Sequence, residues 1–482
     1  MNEVREALAT ALPKGAVLVD REALKPYECD GLSAYRATPL VAALPATEDE
    51  VADVLRIARQ TKTPVVARGS GTGLSGGALP LANGMLLSMA KFNRVVDVNP
   101  AARLARVQPG VTNLRISQHV AGVGLYYAPD PSSQIACSIG GNVAENSGGV
   151  HCLKYGLTVH NVARVRAMGI EGDLLDLGSE ALDSPGYDLL ALIHGSEGLL
   201  AITLEVTVKL LPKPEVAQVV MASFANVESA GEAVANVIGE GIIPAGLEMM
   251  DKLATRAVED FVHAGYDLEA EAILLCESDG ARAEVEHEVA KMIEVMRASG
   301  ATDIRCSSSE LERLKFWSGR KAAFPAVGRI SPDYYCIDGS IPRGALAQVL
   351  ARTTEMSTKY SLRCANVFHA GDGNLHPLIL YDANIPGELE RTEQFAAELL
   401  ELCIEVGGTI TGEHGVGVEK INQMCSQFRP AELAQFHAVK AAFDPDGLLN
   451  PGKMVPTLHR CAEYGAMRVK GGALPHPDIP RF

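Results

Sequence analysis

The sequence predicts an α+β fold of two successive domains and a short tail, and three observations predict it. Residues 40–210 hold most of the glycine-rich turns, set between short strand-like runs. Past Leu211-Pro-Lys-Pro-Glu215 the texture changes to a strand-like Val216–Phe224, a helix, a strand-like Ala272–Glu277 and a second helix. The last third alternates helices, Arg343–Tyr360 and Gly387–Val406, with the strand-like Leu362–His369. Two prolines in three residues end the strand Ala201–Leu210 and make a linker. The expected boundaries are therefore 1–212, 213–456 and a Pro-rich tail, 457–482.

Bulk properties narrow the function classes. At 482 residues, 47% apolar and 21% charged, the chain is globular material with room for several packed domains. A formal charge of −16 argues against nucleic acid or an anionic membrane as a direct partner, because both demand a basic face. No window approaches 18 uninterrupted apolar residues, and Glu3, Arg5 and Glu6 stand where a signal peptide needs an apolar stretch. A cytoplasmic protein is expected, with any membrane association made through partner subunits. The ten cysteines, from Cys29 to Cys461, contain no CxxC and no tight cluster, which excludes an iron–sulfur motif and reads as reduced, mostly buried thiols.

Val65–Arg68 reads as a short buried strand running into Gly69-Ser-Gly-Thr-Gly-Leu-Ser-Gly-Gly77. Such a loop presents several backbone N–H groups to phosphate, because glycine permits positive φ and close approach of the backbone. Gly71, Gly73 and Gly76 formally match the dinucleotide fingerprint, with Asp97 near the position of its ribose-binding acid. That fingerprint needs a helix directly after the loop, and here Pro80 and Asn83-Gly84 intervene before the strand-like Met85–Met89, so a nicotinamide enzyme is disfavoured. A second cluster, Pro129-Asp-Pro-Ser-Ser133 followed by Ile139-Gly-Gly-Asn-Val-Ala-Glu-Asn-Ser-Gly-Gly149, combines small residues, turn formers and amides. Two such loops about 60 residues apart suit a long cofactor. In Ala281–Ser299, Val285, Val289, Met292 and Met296 recur at helical spacing with Gly300 as the stop.

Asn366-Val-Phe-His369-Ala-Gly-Asp-Gly-Asn-Leu-His376 carries the clearest signal for chemistry. A two-residue turn at Asp372-Gly373 would place His369 directly opposite His376, with Cβ atoms about 5 Å apart on one face, within reach of one divalent ion. Pro377 is then tolerable if its strand lies at a sheet edge. In Thr411-Gly-Glu413-His414-Gly-Val-Gly417 the glycines suggest a loop that lets adjacent Glu and His side chains both aim inward. The same His, His and Glu set would serve a metal-dependent hydrolase, and the two glycine loops alone would serve a noncatalytic subunit that only holds the cofactor.

The loop at 68–77, the segment 129–149, Lys154-Tyr-Gly156 and His194-Gly-Ser-Glu-Gly198 resemble the flavin-binding domain of the vanillyl-alcohol oxidase and para-cresol methylhydroxylase superfamily. The resemblance implies a two-subdomain FAD-binding domain followed by an α+β, ferredoxin-like substrate domain and a C-terminal helical segment. By motif position it implies FAD contacts from Arg68, Gly69, Ser70, Gly71, Thr72, Gly73, Ser75, Gly76, Pro129, Asp130, Ser132, Ser133, Gly140, Gly141, Asn142, Asn146, Gly149, Gly156, Glu197, Gly198, Ile202 and Asn450. Some members tether FAD through histidine, but the first histidine here is His119, so noncovalent FAD is expected.

The second half is similar to the C-terminal domain of FAD-linked oxidases acting on D-2-hydroxy acids, and Phe316–Cys336 and Asn450-Pro-Gly-Lys453 narrow the resemblance to the glycolate-oxidising members. It implies a divalent metal, zinc or manganese, on His369, His376 and Glu413, with His414 as the base and Arg320 on the substrate carboxylate. It places Phe324, Cys336 and Asn374 around the substrate. Relatives acting on D-2-hydroxyglutarate carry polar or cationic residues at the positions of Phe324 and Cys336, so a distal carboxylate would go unpaired here and a short substrate is expected. The reaction implied is proton abstraction from the 2-hydroxyl with hydride transfer to flavin N5. Without an iron–sulfur motif in this chain, electrons must pass to a quinone or to partners, and a second flavin-binding subunit and an iron–sulfur subunit are implied.

Overall fold

A computed structural model describes residues 2–181 and 186–456, so the tail 457–482 lies outside the described residues. The first half holds two main sheets and a two-stranded ribbon, Leu125–Tyr126 with Leu211–Pro212. Val41–Ala43, Met85–Ser88 and Val65–Arg68 run parallel, with Val17–Leu18 added antiparallel. The apolar faces of the helices Asn2–Ala11 and Glu48–Thr61 cover this sheet, the second capped by Thr47, whose hydroxyl accepts from Glu50 N. Five antiparallel strands follow, in the order Val95–Asn99, Leu104–Val107, Ile202–Lys209, Val162–Met168 and Leu174–Gly178. The glycine loop leaves the first sheet at Arg68. The 129–149 segment, expected as loop throughout, contains the helix Ile139–Glu145, which buries Ile139 and Val143 against the five-stranded sheet. Small residues won helical geometry there because those two apolar side chains sit four apart on the buried face.

The second half is built on one antiparallel sheet. Its order is Ala301–Cys306, Val216–Phe224, Ala272–Gly280, Gly246–Asp251, Arg363–His369, Asn374–Tyr381 and Asp333–Cys336, with Gly339–Ser340 also paired to Asn374–Tyr381. The strand Gly246–Asp251 and the helix Lys252–Val262 were not legible as separate elements in the sequence. Residues alternate between two cores. Val220, Ala222, Leu247, Met249, Phe368 and Ile379 pack under four helices on one side. Val219, Met221, Met250, Val367 and Leu378 pack on the other, against Lys252–Val262, Glu310–Lys321 and Ala323–Val327. The second side carries the site.

Two expectations need correction. Pro377 lies in an interior strand; its carbonyl accepts from Ile337 N, and its missing donor falls where the neighbouring strand is interrupted between Cys336 and Gly339. Eight described cysteines are free thiols, but Cys425 is disulfide-bonded, since spacing along the chain does not reveal which thiols folding brings together. Among the described residues no helix is long and apolar enough to cross a membrane.

Candidate active site

A cavity of about 400 Å³ runs from the glycine loops of the first half to the histidine face of the second-half sheet. Arg68 to Gly73, Ser132, Ser133, Gly140, Gly141, Asn142, Glu197, Gly198 and Ile202 line its first end, and Arg320, Phe324, His369, His376, Glu413 and His414 its second. A methyl group added at Gly73 or Gly198 would meet no protein atom closer than 3.8 Å, so the space beside these loops is open to a ligand and not filled by neighbours. Ser138 Oγ, buried there, has no hydrogen-bond partner in the protein. A cradle of small residues with a spare donor fits a large, phosphate-bearing cofactor.

The other residues expected at the cofactor do not line this cavity; they hold its walls. Asn450 donates to the carbonyls of Gly77 and Glu197, and Asn146 Oδ1 accepts from Val159 N. Asp130 takes His151 N at 3.1 Å and His151 Nδ1 at 2.9 Å, while the Ser75 carbonyl accepts from Val418 N and Glu419 N. Gly76, Pro129, Gly149 and Gly156 shape the same turns, three of them, the glycines, at positive φ. The Glu197 carboxylate is spent on Val416 N and Gly417 N, at 2.7 and 2.8 Å, which pins the Glu413 loop to the first domain.

The hairpin that carries the histidines is longer than expected. Residues 370–373 form its turn, so His369 pairs with Asn374 and His376 with Val367. Asp372 Oδ1 accepts from Asn374 N, and Gly371 N is held by Leu247 O on the neighbouring strand, which draws both residues into the turn. The slip is by two residues, so every side chain keeps its face. The two imidazoles are diagonal neighbours, their centroids 5.0 Å apart, and His376 stacks on His414 at 4.8 Å.

Glu413 Oε1 lies 3.3 Å from His369 Nε2 and 3.0 Å from His376 Nε2. These three residues offer ligand atoms within 4.8 Å of one another, a donor set that suits a divalent cation. Cys336, His376 and His414 form a second such group; Cys336 lies behind the histidines and does not line the cavity, and neither does Asn374. Nδ1 of His376 and of His414 are buried with no partner. Burial resists ionisation of Glu413, yet the two imidazoles hold its carboxyl well below the usual carboxylate range. Burial pushes His414 down to about 4, which leaves the ring neutral near pH 7.

Three buried residues absent from the sequence reading organise this set. Glu248 continues the pairing register of its strand to a position opposite His369 and binds His369 Nδ1 at 2.7 Å and Arg320 Nε at 2.7 Å. Arg320, 1% exposed, is left with an unpartnered Nη2 at the cavity. Asp338 accepts from the amides of Gly412, Glu413 and His414 and from Lys420 Nζ at 2.8 Å, so an ion pair buried on both sides dictates the loop's path. Gly415 is obligatory in that loop: its φ is +80° and a Cβ would stand 2.2 Å from Glu145 Oε2. A lone acid inside an apolar run, as in Gly246-Leu-Glu-Met-Met250 or Ile337-Asp-Gly339, was the available signal for Glu248 and Asp338.

A cofactor cradle facing a polar, preorganised cluster is the layout of a cofactor-dependent enzyme, and the family matches make it a flavin-dependent oxidoreductase. Residues 39–178 match the FAD binding domain family and residues 213–454 match FAD linked oxidases, C-terminal domain. The fold is that of p-cresol methylhydroxylase with substrate bound (TM-score 0.78, 17% identity, 95% of this chain and 97% of that one) and of 4-ethylphenol oxidase from Gulosibacter chungangensis (TM-score 0.78, 18% identity, 94% and 96%). The chain belongs to the FAD-linked oxidase family. It is 62% identical to glycolate oxidase subunit GlcD of Escherichia coli (strain K12) over 99% of this chain and 95% of that one. Identity is 38% to glycolate oxidase subunit GlcD of Bacillus subtilis (strain 168), over 89% and 91%, and 30% to a D-lactate dehydrogenase of Anaerostipes hadrus, over 94% and 97%.

Proposed function

We propose that this protein oxidises a small 2-hydroxy acid, glycolate first and D-lactate second, to the 2-oxo acid, as the catalytic subunit of a cytoplasmic assembly. The carrying observation is the free Nη2 of a fully buried Arg320 in the same cavity as His369, His376, Glu413 and His414. The names of the relatives support the substrate class. Noncovalent FAD, which the family binds, supplies the hydride acceptor; no histidine stands among the lining residues of the glycine-loop end. His369, His376 and Glu413 would hold a divalent metal, zinc or manganese, which supplies charge to acidify a hydroxyl.

The chain's own residues do the rest. Arg320 binds the substrate carboxylate through Nη2 while Glu248 fixes the other side of the guanidinium, so one orientation of the acid is selected. His414, neutral, takes the hydroxyl proton. Phe324, its ring 6.0 Å from Tyr334, closes the distal side with apolar surface, which leaves a second carboxylate without a partner and favours acids of two or three carbons. Electrons leave to a quinone or to partner subunits, a further flavin subunit and an iron–sulfur subunit.

The test is anaerobic mixing of the yellow protein with glycolate, D-lactate, L-lactate and D-2-hydroxyglutarate while the flavin absorbance is followed. Rapid bleaching by glycolate or D-lactate is expected. Bleaching by the L-isomer alone, or by none, overturns the proposal.

A further inference from the structure

A second cavity, of about 810 Å³, opens beyond the Gly415–Lys420 segment, between the Ala34–Arg36 loop and the helix Glu388–Glu405. Its walls include Tyr35, Tyr335, Glu390, Glu393, Leu400 and Glu419. The Glu419 side chain is 2% exposed, and neither carboxylate oxygen has a hydrogen-bond partner. Lys420 Nζ stands 3.9 Å away, but its protons are already shared among Asp338 O, Asp338 Oδ2, Gly415 O and Thr411 Oγ1. Burial pushes the Glu419 carboxyl up to about 8, and a buried polar group without a partner is costly, so such a group marks a place where a ligand completes the structure.

The surroundings define that ligand's chemistry. Glu390 and Glu393 add negative charge at the walls, Arg36, which also lines the cavity, is paired with Glu28 at 2.6 Å, and Tyr35 Oη is fixed on Glu393 Oε1 at 2.6 Å, which holds its ring at the cavity. Acidic walls reject anions, and tyrosine faces favour organic cations. Neither group of converging metal-ligand atoms found among the described residues includes Glu419, which disfavours a bare metal ion. The acidic character continues along the same helix, where Glu398, Glu401 and Glu405 border an adjoining depression that shares Gln394 and Ala397.

We propose that this cavity binds an organic cation, an ammonium or guanidinium group whose N–H donors meet the two free oxygens of Glu419 between the rings of Tyr35 and Tyr335. The cation is either a free metabolite or a basic side chain of an associated subunit. n-Butylguanidinium, with n-butanol as its uncharged control, probes the site in the FAD-loaded protein.

Calorimetry should give one saturable site for the cation and none for butanol, and at a hundred times Kd the Tm should rise on the order of a few degrees. Glu419→Gln should weaken binding at least about 10-fold, the loss of one charge-assisted contact. Should that variant fail to fold, Ala397→Phe, which narrows the mouth and leaves the charges in place, should abolish binding. Equal affinity in wild type and both variants, or no saturable binding to wild type, overturns the proposal. Repeating the titration with the chain purified in its native assembly separates the sources: undiminished binding identifies a free cation, and blocked binding a partner's basic side chain.

Discussion

The carboxylate of Glu248 reaches Nδ1 of His369 at 2.7 Å across neighbouring strands, and its other oxygen holds Nε of Arg320 at the same distance. One buried acid thus orients both the substrate anchor and a candidate metal ligand. Glu248→Gln keeps the shape and loses the charge; it should lower kcat/KM about 10- to 100-fold, the usual cost of losing a carboxylate behind a ligating histidine. Glu248→Ala also strands a buried guanidinium and should cost about 3–5 kcal/mol of stability. Steady-state kinetics and chemical denaturation separate the two.

Arg320→Lys exchanges a planar fork for a point charge at a site where one edge of the fork is already committed to Glu248. The expected result is a rise in KM for the 2-hydroxy acid of about 10- to 100-fold, the equivalent of one charge-assisted hydrogen bond of 1.5–3 kcal/mol, with unchanged FAD content. Initial-rate kinetics and the flavin spectrum report it. An unchanged KM would remove Arg320 from the carboxylate site.

Prolonged chelation followed by dialysis should abolish activity while FAD stays bound, and zinc or manganese should restore it. Elemental analysis should then find less metal in His369→Ala and His376→Ala than in the wild type. Full activity after chelation removes both histidines from the ligand set.

Acid stability has a separate origin. Burial alone would raise the Glu277 carboxyl, but His151, Arg313 and Trp317 outweigh it and push it down to about 2. A depressed carboxylate stabilises the fold above its unfolded value and loses that contribution as pH falls, here between about 5 and 2, on the order of 3 kcal/mol shared with its partners. Urea titrations from pH 7 to pH 3 should show the greater part of this loss in the wild type and a shallower one in Glu277→Gln.

The sequence by itself determined the cradle, the hairpin and the Glu-His loop, because glycine patterns and paired histidines express local backbone requirements within a few residues. Even the misplaced register at His369 did no harm, since a slip of two preserves the face of a strand. The helix at Ile139–Glu145 and the strand Gly246–Asp251 are not legible in the sequence, because a run of small residues and a six-residue run without strict alternation carry no clear period until a sheet gives them a buried side.

Only the tertiary structure decided what holds the site. Glu248 lies 121 residues from His369 and Asp338 lies 82 from Lys420. No spacing rule links such residues; they meet because an antiparallel sheet aligns distant strands and places every second side chain on one face, where a buried acid must find its partner.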